Sequence, residues 1–248
     1  MIPISDESAK GNERPYVNIG LIAISTIVFF FQLGLNSIEE TQFIYRYGLI
    51  PRELTDSSFS LPSIQAAFRT ILDVDTPGSN YLTIFTSMFI HGGVLHFAGN
   101  MIFLWVFGDN VEAKLGHWWY LLFYLVTGLA AGWAQIATNM DSLTPTIGAS
   151  GAIAGVQGAY VLLYPFNRVR IVTLFFFFLP LTLPAVYLIG FWLVLQFFNG
   201  FLALNSSVTA GVAYWAHIGG FLAGVTIIAL LKLLAWKEPL WSGRPRPS

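Results

Sequence analysis

Six apolar stretches, each near the roughly 20 residues that a helix needs to cross a hydrocarbon layer, leave this chain little choice but a multi-pass helical bundle. They run Val17–Leu35, Val94–Phe107 (with Ile84 as an earlier start), Trp118–Thr138, Ser150–Phe166, Pro184–Phe201 and Gly211–Trp236. Only 10% of the residues are charged and the mean hydropathy is +0.66, whereas soluble domains carry roughly a quarter charged residues. The fold class expected is therefore all-α and polytopic. As a single straight helix, Ile171–Leu202 would reach about 48 Å, well beyond a hydrocarbon core of ~30 Å. Pro180 and Pro184 divide it, so Ile171–Thr182 is predicted to be an interfacial or re-entrant piece that does not span.

Charge orients the bundle. Lys10, Arg14, Lys114, Arg168, Arg170, Lys232, Lys237, Arg244 and Arg246 fall on one side of the predicted spans, and Arg46, Arg52 and Arg69 on the other. The positive-inside rule then places both termini in the cytoplasm. Residues 1–16 form an N-terminal tail, 17–236 the six-helix domain and 237–248 a C-terminal tail. Residues 36–80 make a long external loop, partly amphipathic and resting on the membrane. The first apolar run reads as a retained helix rather than a signal peptide, because no small-residue cleavage site follows it. A net charge of −1 gives no reason to expect nucleic acid as a partner, and the absence of cysteine removes thiol nucleophiles and thiolate metal sites. Asp109 and Glu112, with Lys114, read as interface charges closing the second span, and His117-Trp118-Trp119-Tyr120 as an aromatic belt.

Chemistry concentrates around Gly148-Ala149-Ser150-Gly151. This small-residue turn puts a hydroxyl and a backbone N–H at the start of an apolar helix, where developing negative charge is favoured. Read alone, it is an ordinary N-cap and packing turn. Other polar residues share its depth. Under the topology above, spans two, four and six run in the same direction, with His96 and Asn100 in the first two turns of the second. His217 lies about 9 Å along the sixth. Intramembrane polar residues are costly and are functional candidates by default. Gly220 and Gly224 give the His217 helix a small-xxx-small face, as Gly151 and Gly155 do for the serine helix, so the two helices can pack closely and bring Ser150 to His217. The plainer reading of His217 is a packing histidine bonded to a carbonyl. His96 and Asn100, spaced i, i+4, share a face and suit two donors aimed at one oxyanion with the Ser150 N–H; interhelical polar glue is their plainer reading. His91, nearer the water, reads as a solvated interface histidine at the edge of the same pocket. No acid lies in a span near His217, so the pattern is a Ser–His dyad rather than a triad. No His-Glu-x-x-His motif and no intramembrane aspartate pair is present, which removes zinc and aspartyl protease chemistry.

His91…His96-Phe97-Ala98-Gly99-Asn100-Met101, Gly148-Ala149-Ser150-Gly151 and Ala216-His217-x-x-Gly220-x-x-x-Gly224 together resemble the rhomboid family of intramembrane serine proteases. Phe107-Gly108-Asp109-Asn110-Val111-Glu112 resembles the family's close of the second helix, and Tyr47-Gly48-Leu49-Ile50-Pro51 the first loop of many bacterial members. The resemblance implies a rhomboid-like six-helix bundle with Ser150 as nucleophile, His217 as general base, and His96 and Asn100 in the oxyanion hole. It further implies no cofactor or metal, single-span membrane proteins as substrates, and a bacterial cytoplasmic membrane with the site opening to the external face. The chain departs from the family at Tyr81-Leu82-Thr83, where Trp-Arg is frequent, and at Ala154, where some members carry an aromatic beside the histidine. A second functional class is a non-catalytic rhomboid-like binder of membrane helices; a third, a transporter, is disfavoured because the polar residues gather near one face. The fifth span, with Phe191 and Trp192, is proline-bounded and is either a lateral gate or plain lipid-facing surface. Cysteines introduced at Ser206 and Ser248 should be accessible from opposite faces of the membrane; access to both from one face would refute the six-span topology.

Overall fold

The structure is a computed structural model and describes residues 1–7, 14–56, 79–173, 179–204 and 211–234. The apolar runs become helices α1 (Tyr16–Leu33), α4 (Val94–Leu115), α5 (His117–Thr138), α6 (Ser150–Leu163), α7 (Ala185–Leu204) and α8 (Tyr214–Leu234). The described part of the external loop holds α2 (Ser37–Tyr47), opened by an Asn36/Glu39 capping box, and the short α3 (Pro51–Thr55). The rest of that loop, the Ser206 and Ser248 positions and the C-terminal tail lie outside the described residues. Helices α1, α5, α7 and α8 are each long and apolar enough to cross a membrane, and the short helical run Asn80–Phe89 joins α4 through an 82° bend as a broken fifth. The protein is an integral, multi-pass membrane protein.

Helix α6 differs from its neighbours. It has 14 residues, about 21 Å of rise, which is too short to span alone. Gly151 through Tyr160 are all buried, so this helix is surrounded by protein. Its C-terminal end is held from below: Tyr160 donates its hydroxyl to the Asp6 carboxylate, and the Lys232 ammonium donates to the Leu162 carbonyl at 2.6 Å. Burial raises the Asp6 carboxyl above its ordinary pKa range, while the bonds from Tyr160 and Asn110 pull it down.

Asp6 follows a strand, which the all-helical expectation did not contain. β1 (Ile2–Ser5), β2 (Arg168–Val172) and β3 (Pro180–Pro184) form an antiparallel sheet in the order β1-β2-β3. Of the Ile171–Thr182 piece, expected to be interfacial or re-entrant, Ile171 and Val172 pair as antiparallel strand with Leu181 and Pro180, and residues 174–178 lie outside the described residues. Both prolines sit at the ends of the edge strand, where a missing N–H leaves no gap in the ladder. The expected free N-terminal tail is partly a strand that ties residues 2–7 to the α6–α7 connection.

The second span also runs further than predicted, through Asp109 and Glu112 to Leu115. Glu112 is buried rather than an interface charge. Its carboxylate accepts the backbone N–H groups of Val17 (3.0 Å) and Asn18 (2.7 Å). These are first-turn donors of α1, which have no partner within their own helix. His117 pairs with the same carboxylate, so it belongs to this junction as well as to the aromatic rim. Asn18 completes the junction by donating to the Leu104 carbonyl and accepting from the Tyr120 hydroxyl.

The glycine seam is real but asymmetric. A Cβ on Gly220 would overlap the Gly151 carbonyl, and one on Gly224 the Gly155 carbonyl. The missing side chains of Gly151 and Gly155 instead make room for Ala131 and Thr127 of α5. Because backbone cannot yield as a side chain can, Gly224→Ala should cost about 1–3 kcal/mol. Gly190→Ala on α7, which meets nothing within 4 Å, should not lower the unfolding temperature. Equal unfolding temperatures for the two variants would contradict this packing.

Candidate active site

Ser150 is the first residue of α6, after Gly148 and the N-cap Ala149. Its backbone N–H therefore has no helical acceptor. The turn is braced from three sides. Leu49 and Thr146 exchange backbone hydrogen bonds at 3.0 and 2.8 Å, the Gly148 N–H donates to the Ser87 carbonyl at 2.8 Å, and the Thr86 hydroxyl donates to the Tyr47 carbonyl at 2.6 Å. The first-loop stretch Tyr47–Pro51 thus holds the serine turn in place even though Tyr81-Leu82-Thr83 replaces the more frequent pair.

The structure brings Ser150 and His217 together. Ser150 Oγ lies 2.8 Å from His217 Nε2, and His217 is only 9% exposed. His217 sits one turn before Gly220, so the register of the seam sets this distance. On the side of the ring away from Ser150, Gln196 of α7 places Oε1 at 2.8 Å from Nδ1. The Trp192 ring, also from α7, lies 5.7 Å from the imidazole centre at a 39° tilt. The aromatic absent at Ala154 is thus matched by one from a different helix.

His96 and Asn100 flank the serine from α4. The Gly92 N–H donates to His96 Nδ1 at 3.3 Å, which leaves Nε2 as the protonated nitrogen of the neutral ring. Gly148 has φ +116°, and a Cβ there would come within 2.7 Å of His96 Nε2 and 3.6 Å of Asn100 Nδ2. Glycine is favoured twice over, by its dihedral angle and by the space the His96 ring occupies. Asn100 Nδ2 is buried and, among the described residues, has no hydrogen-bond partner. An unmet buried donor costs about 1–3 kcal/mol, which sets Asn100 apart from the satisfied polar groups of the α1–α4–α5 junction. A cavity of about 960 Å³ opens over these groups, lined by Ser150, His217, His96, Asn100, Trp192 and Gln157. Among the described residues, no three His, Asp or Glu side chains converge as a metal site would need.

His91 does not belong to this cavity. It is fully buried, with its ring edge-on to Phe29, Phe97 and His96. The Gln32 side chain takes both of its backbone groups, accepting from the N–H and donating to the carbonyl at 3.1 Å each. The solvated interface histidine expected from the sequence is a packed one, because Phe29 of α1 and Phe97 of α4 wall its ring and Gln32 of α1 makes the backbone hydrogen bonds that water would have made. Gln196 and Gln157 were not singled out by sequence reasoning. For Gln196 a signal existed: it is polar within a span, and it falls on the inward stripe with Ala185, Leu188, Ile189 and Gly200.

Fold and site define a multi-pass integral membrane protein that places a serine–histidine pair beside a cavity in its helical bundle. Within that class, a family model described as the Rhomboid domain matches residues 78–233, more than half of the chain, and the protein belongs to the rhomboid family. It is 29% identical over 220 residues to the Presenilin-associated rhomboid-like protein, mitochondrial, of Mus musculus, covering 83% of this chain and 53% of that protein. Rhomboid protein 1, mitochondrial, of Saccharomyces cerevisiae is 30% identical over 155 residues, covering 58% of this chain and 40% of the yeast protein. Rhomboid protease GluP of Bacillus subtilis is 38% identical over 85 residues, 34% of this chain and 16% of that protein. The chain spans about half the length of the curated relatives it matches. The mitochondrial names among them lend no support to the expected bacterial cytoplasmic membrane.

Proposed function

We propose that this chain is an intramembrane serine endopeptidase that cleaves transmembrane or juxtamembrane segments of single-span membrane proteins. The observation that carries the reading is the 2.8 Å contact between Ser150 Oγ and His217 Nε2 within the bundle. It is supported by the Bacillus subtilis relative, which is named a protease. In this reading Ser150 Oγ attacks the scissile carbonyl carbon while its proton passes to His217 Nε2. The charge that develops on the carbonyl oxygen is received by the Ser150 N–H, His96 Nε2 and Asn100 Nδ2. Collapse of the tetrahedral intermediate breaks the C–N bond, and Nε2 returns the proton to the departing amine. Water from the cavity then attacks the acyl ester with Nε2 again taking a proton, which releases the acid and restores the serine. A spanning substrate helix hides its carbonyls in its own hydrogen bonds, so the scissile stretch must unwind locally. Gly and Pro in the substrate reduce that cost. Both termini are assigned to the side opposite the cavity mouth, on the strength of the basic-residue asymmetry.

Loss of one oxyanion donor costs about 10²–10³ in turnover at a comparable soluble site. Asn100→Ala should therefore lower kcat by about that factor with KM little changed, since the charge exists only in the transition state. A kcat within a few-fold of wild type would leave Asn100 a packing residue. Groups that act as one unit are not additive in catalysis. Ser150→Ala, His217→Ala and the double variant should accordingly be about equally inactive toward single-span substrates in bilayers. A fluorophosphonate should label the wild type and not Ser150→Ala. Full cleavage by folded Ser150→Ala would refute the mechanism.

A further inference from the structure

The serine and histidine leave one question of protonation open. A neutral imidazole carries its proton on one nitrogen only, and Nε2 can accept the serine proton only if that proton sits on Nδ1. In soluble serine hydrolases an acid beside Nδ1 settles the tautomer. Here no acid is near among the described residues: the hydrogen-bond acceptor at Nδ1 is Gln196 Oε1, at 2.8 Å and buried on α7. Besides Ser150, the titratable side chain facing the ring is His96. Trp192 closes another side.

We infer that Gln196 is the positioning residue of this site, a neutral third member that fixes the His217 proton on Nδ1 and orients the ring toward Ser150. This inference rests on the protease reading above. The amide carbonyl accepts Nδ1–H in the resting enzyme and keeps that bond when Nε2 receives the serine proton, so the imidazolium formed in the transition state retains a partner. An amide does this without placing a second charge in an apolar bundle, where an unpaired carboxylate would itself be costly. It also makes the site incomplete without α7. Ser150, His96, Asn100 and His217 come from α6, α4 and α8, and only α7 supplies the acceptor that selects the tautomer.

The test compares Gln196→Met, which keeps length and removes the acceptor, with Gln196→Glu, which keeps an acceptor and adds charge. Both are assayed as full chain in bilayers, with melting curves recorded on the same preparations. Gln196→Met should lower kcat at least tenfold with KM within twofold. Gln196→Glu should recover most of that loss, and should move the acidic limb of the pH–kcat profile upward, because a carboxylate beside Nδ1 favours the protonated ring. If Gln196→Met does not fold, Gln196→Asn, whose shorter side chain leaves the amide out of reach, replaces it under the same thresholds. The inference is overturned by a folded acceptor-less variant with kcat within twofold of wild type. It is also overturned by a folded Gln196→Glu that is as impaired as Gln196→Met or has an unshifted profile. Failure of the protease reading is separate: wild type and Ser150→Ala would then be indistinguishable whatever stands at residue 196.

Discussion

The depth of Ser150 follows from the length of α6 and from the fixing of its far end. Fourteen residues rise about 21 Å. The C-terminal turn is held at one end of the bundle through Tyr160 and the Leu162 carbonyl, by a carboxylate from the N-terminal segment and an ammonium from α8. With the base fixed there, the N-terminus of the helix stops short of the opposite surface, and a cavity takes up the difference. Lateral position is set separately. The Gly220 and Gly224 backbones rest on the Gly151 and Gly155 carbonyls, so α8 has no freedom to slide against α6 without collision. His217 and Ser150 inherit their separation from that contact.

Buried polar groups in this bundle divide by whether the fold satisfies them. The α1–α4–α5 junction closes on itself: Glu112 takes two orphan N–H groups, and Asn18 and Tyr120 take each other. That arrangement holds helices together and asks for nothing more. Around the cavity, Asn100 Nδ2 on α4 and Gln157 Nε2 two turns into α6 have no partner among the described residues. A buried donor without a partner is costly, and both residues lie against the 960 Å³ cavity that adjoins Ser150.

Much of this was legible in the chain. Apolar runs of spanning length located the helices to within a few residues, except the end of α4, which runs eight residues past Phe107 to Leu115, and glycine spacing identified the seam between α6 and α8. The parts that were not legible are tertiary. Glu112 follows Asp109 and precedes Lys114 at the end of an apolar run, which is the appearance of an interface cluster; only the arrival of α1 over its carboxylate makes it a buried cap. The β1–β2 pairing joins Ile2 to Val172, and no local periodicity announces a partner so distant. His91 looked solvated because it precedes His96 by a turn or more toward the water, whereas its neighbours in space are Phe29 and Phe97. Gln196 was missed for a different reason. Its span was read by its hydrophobic length, and the one polar residue on its inward stripe was passed over.

Helix α7 therefore presents two different faces. Phe191 and its other outward residues face the hydrocarbon, with Phe191 51% exposed, the face that suits either a lateral gate or plain lipid-facing surface. Yet Trp192 and Gln196, from the same helix, are the groups against the His217 ring. Any outward movement large enough to admit a substrate segment carries Gln196 away from Nδ1. The ring is then free to rotate or to take the tautomer that cannot accept the serine proton. A hydrogen bond of 2.8 Å does not survive a displacement of even one more ångström at full strength. Access and competence thus cannot both be maximal in one position of α7. If α7 is the gate, admission precedes chemistry, and the dyad regains its general base only when the helix closes again over the bound segment. The site would then discriminate by what allows α7 to return as much as by what fits beside Ser150.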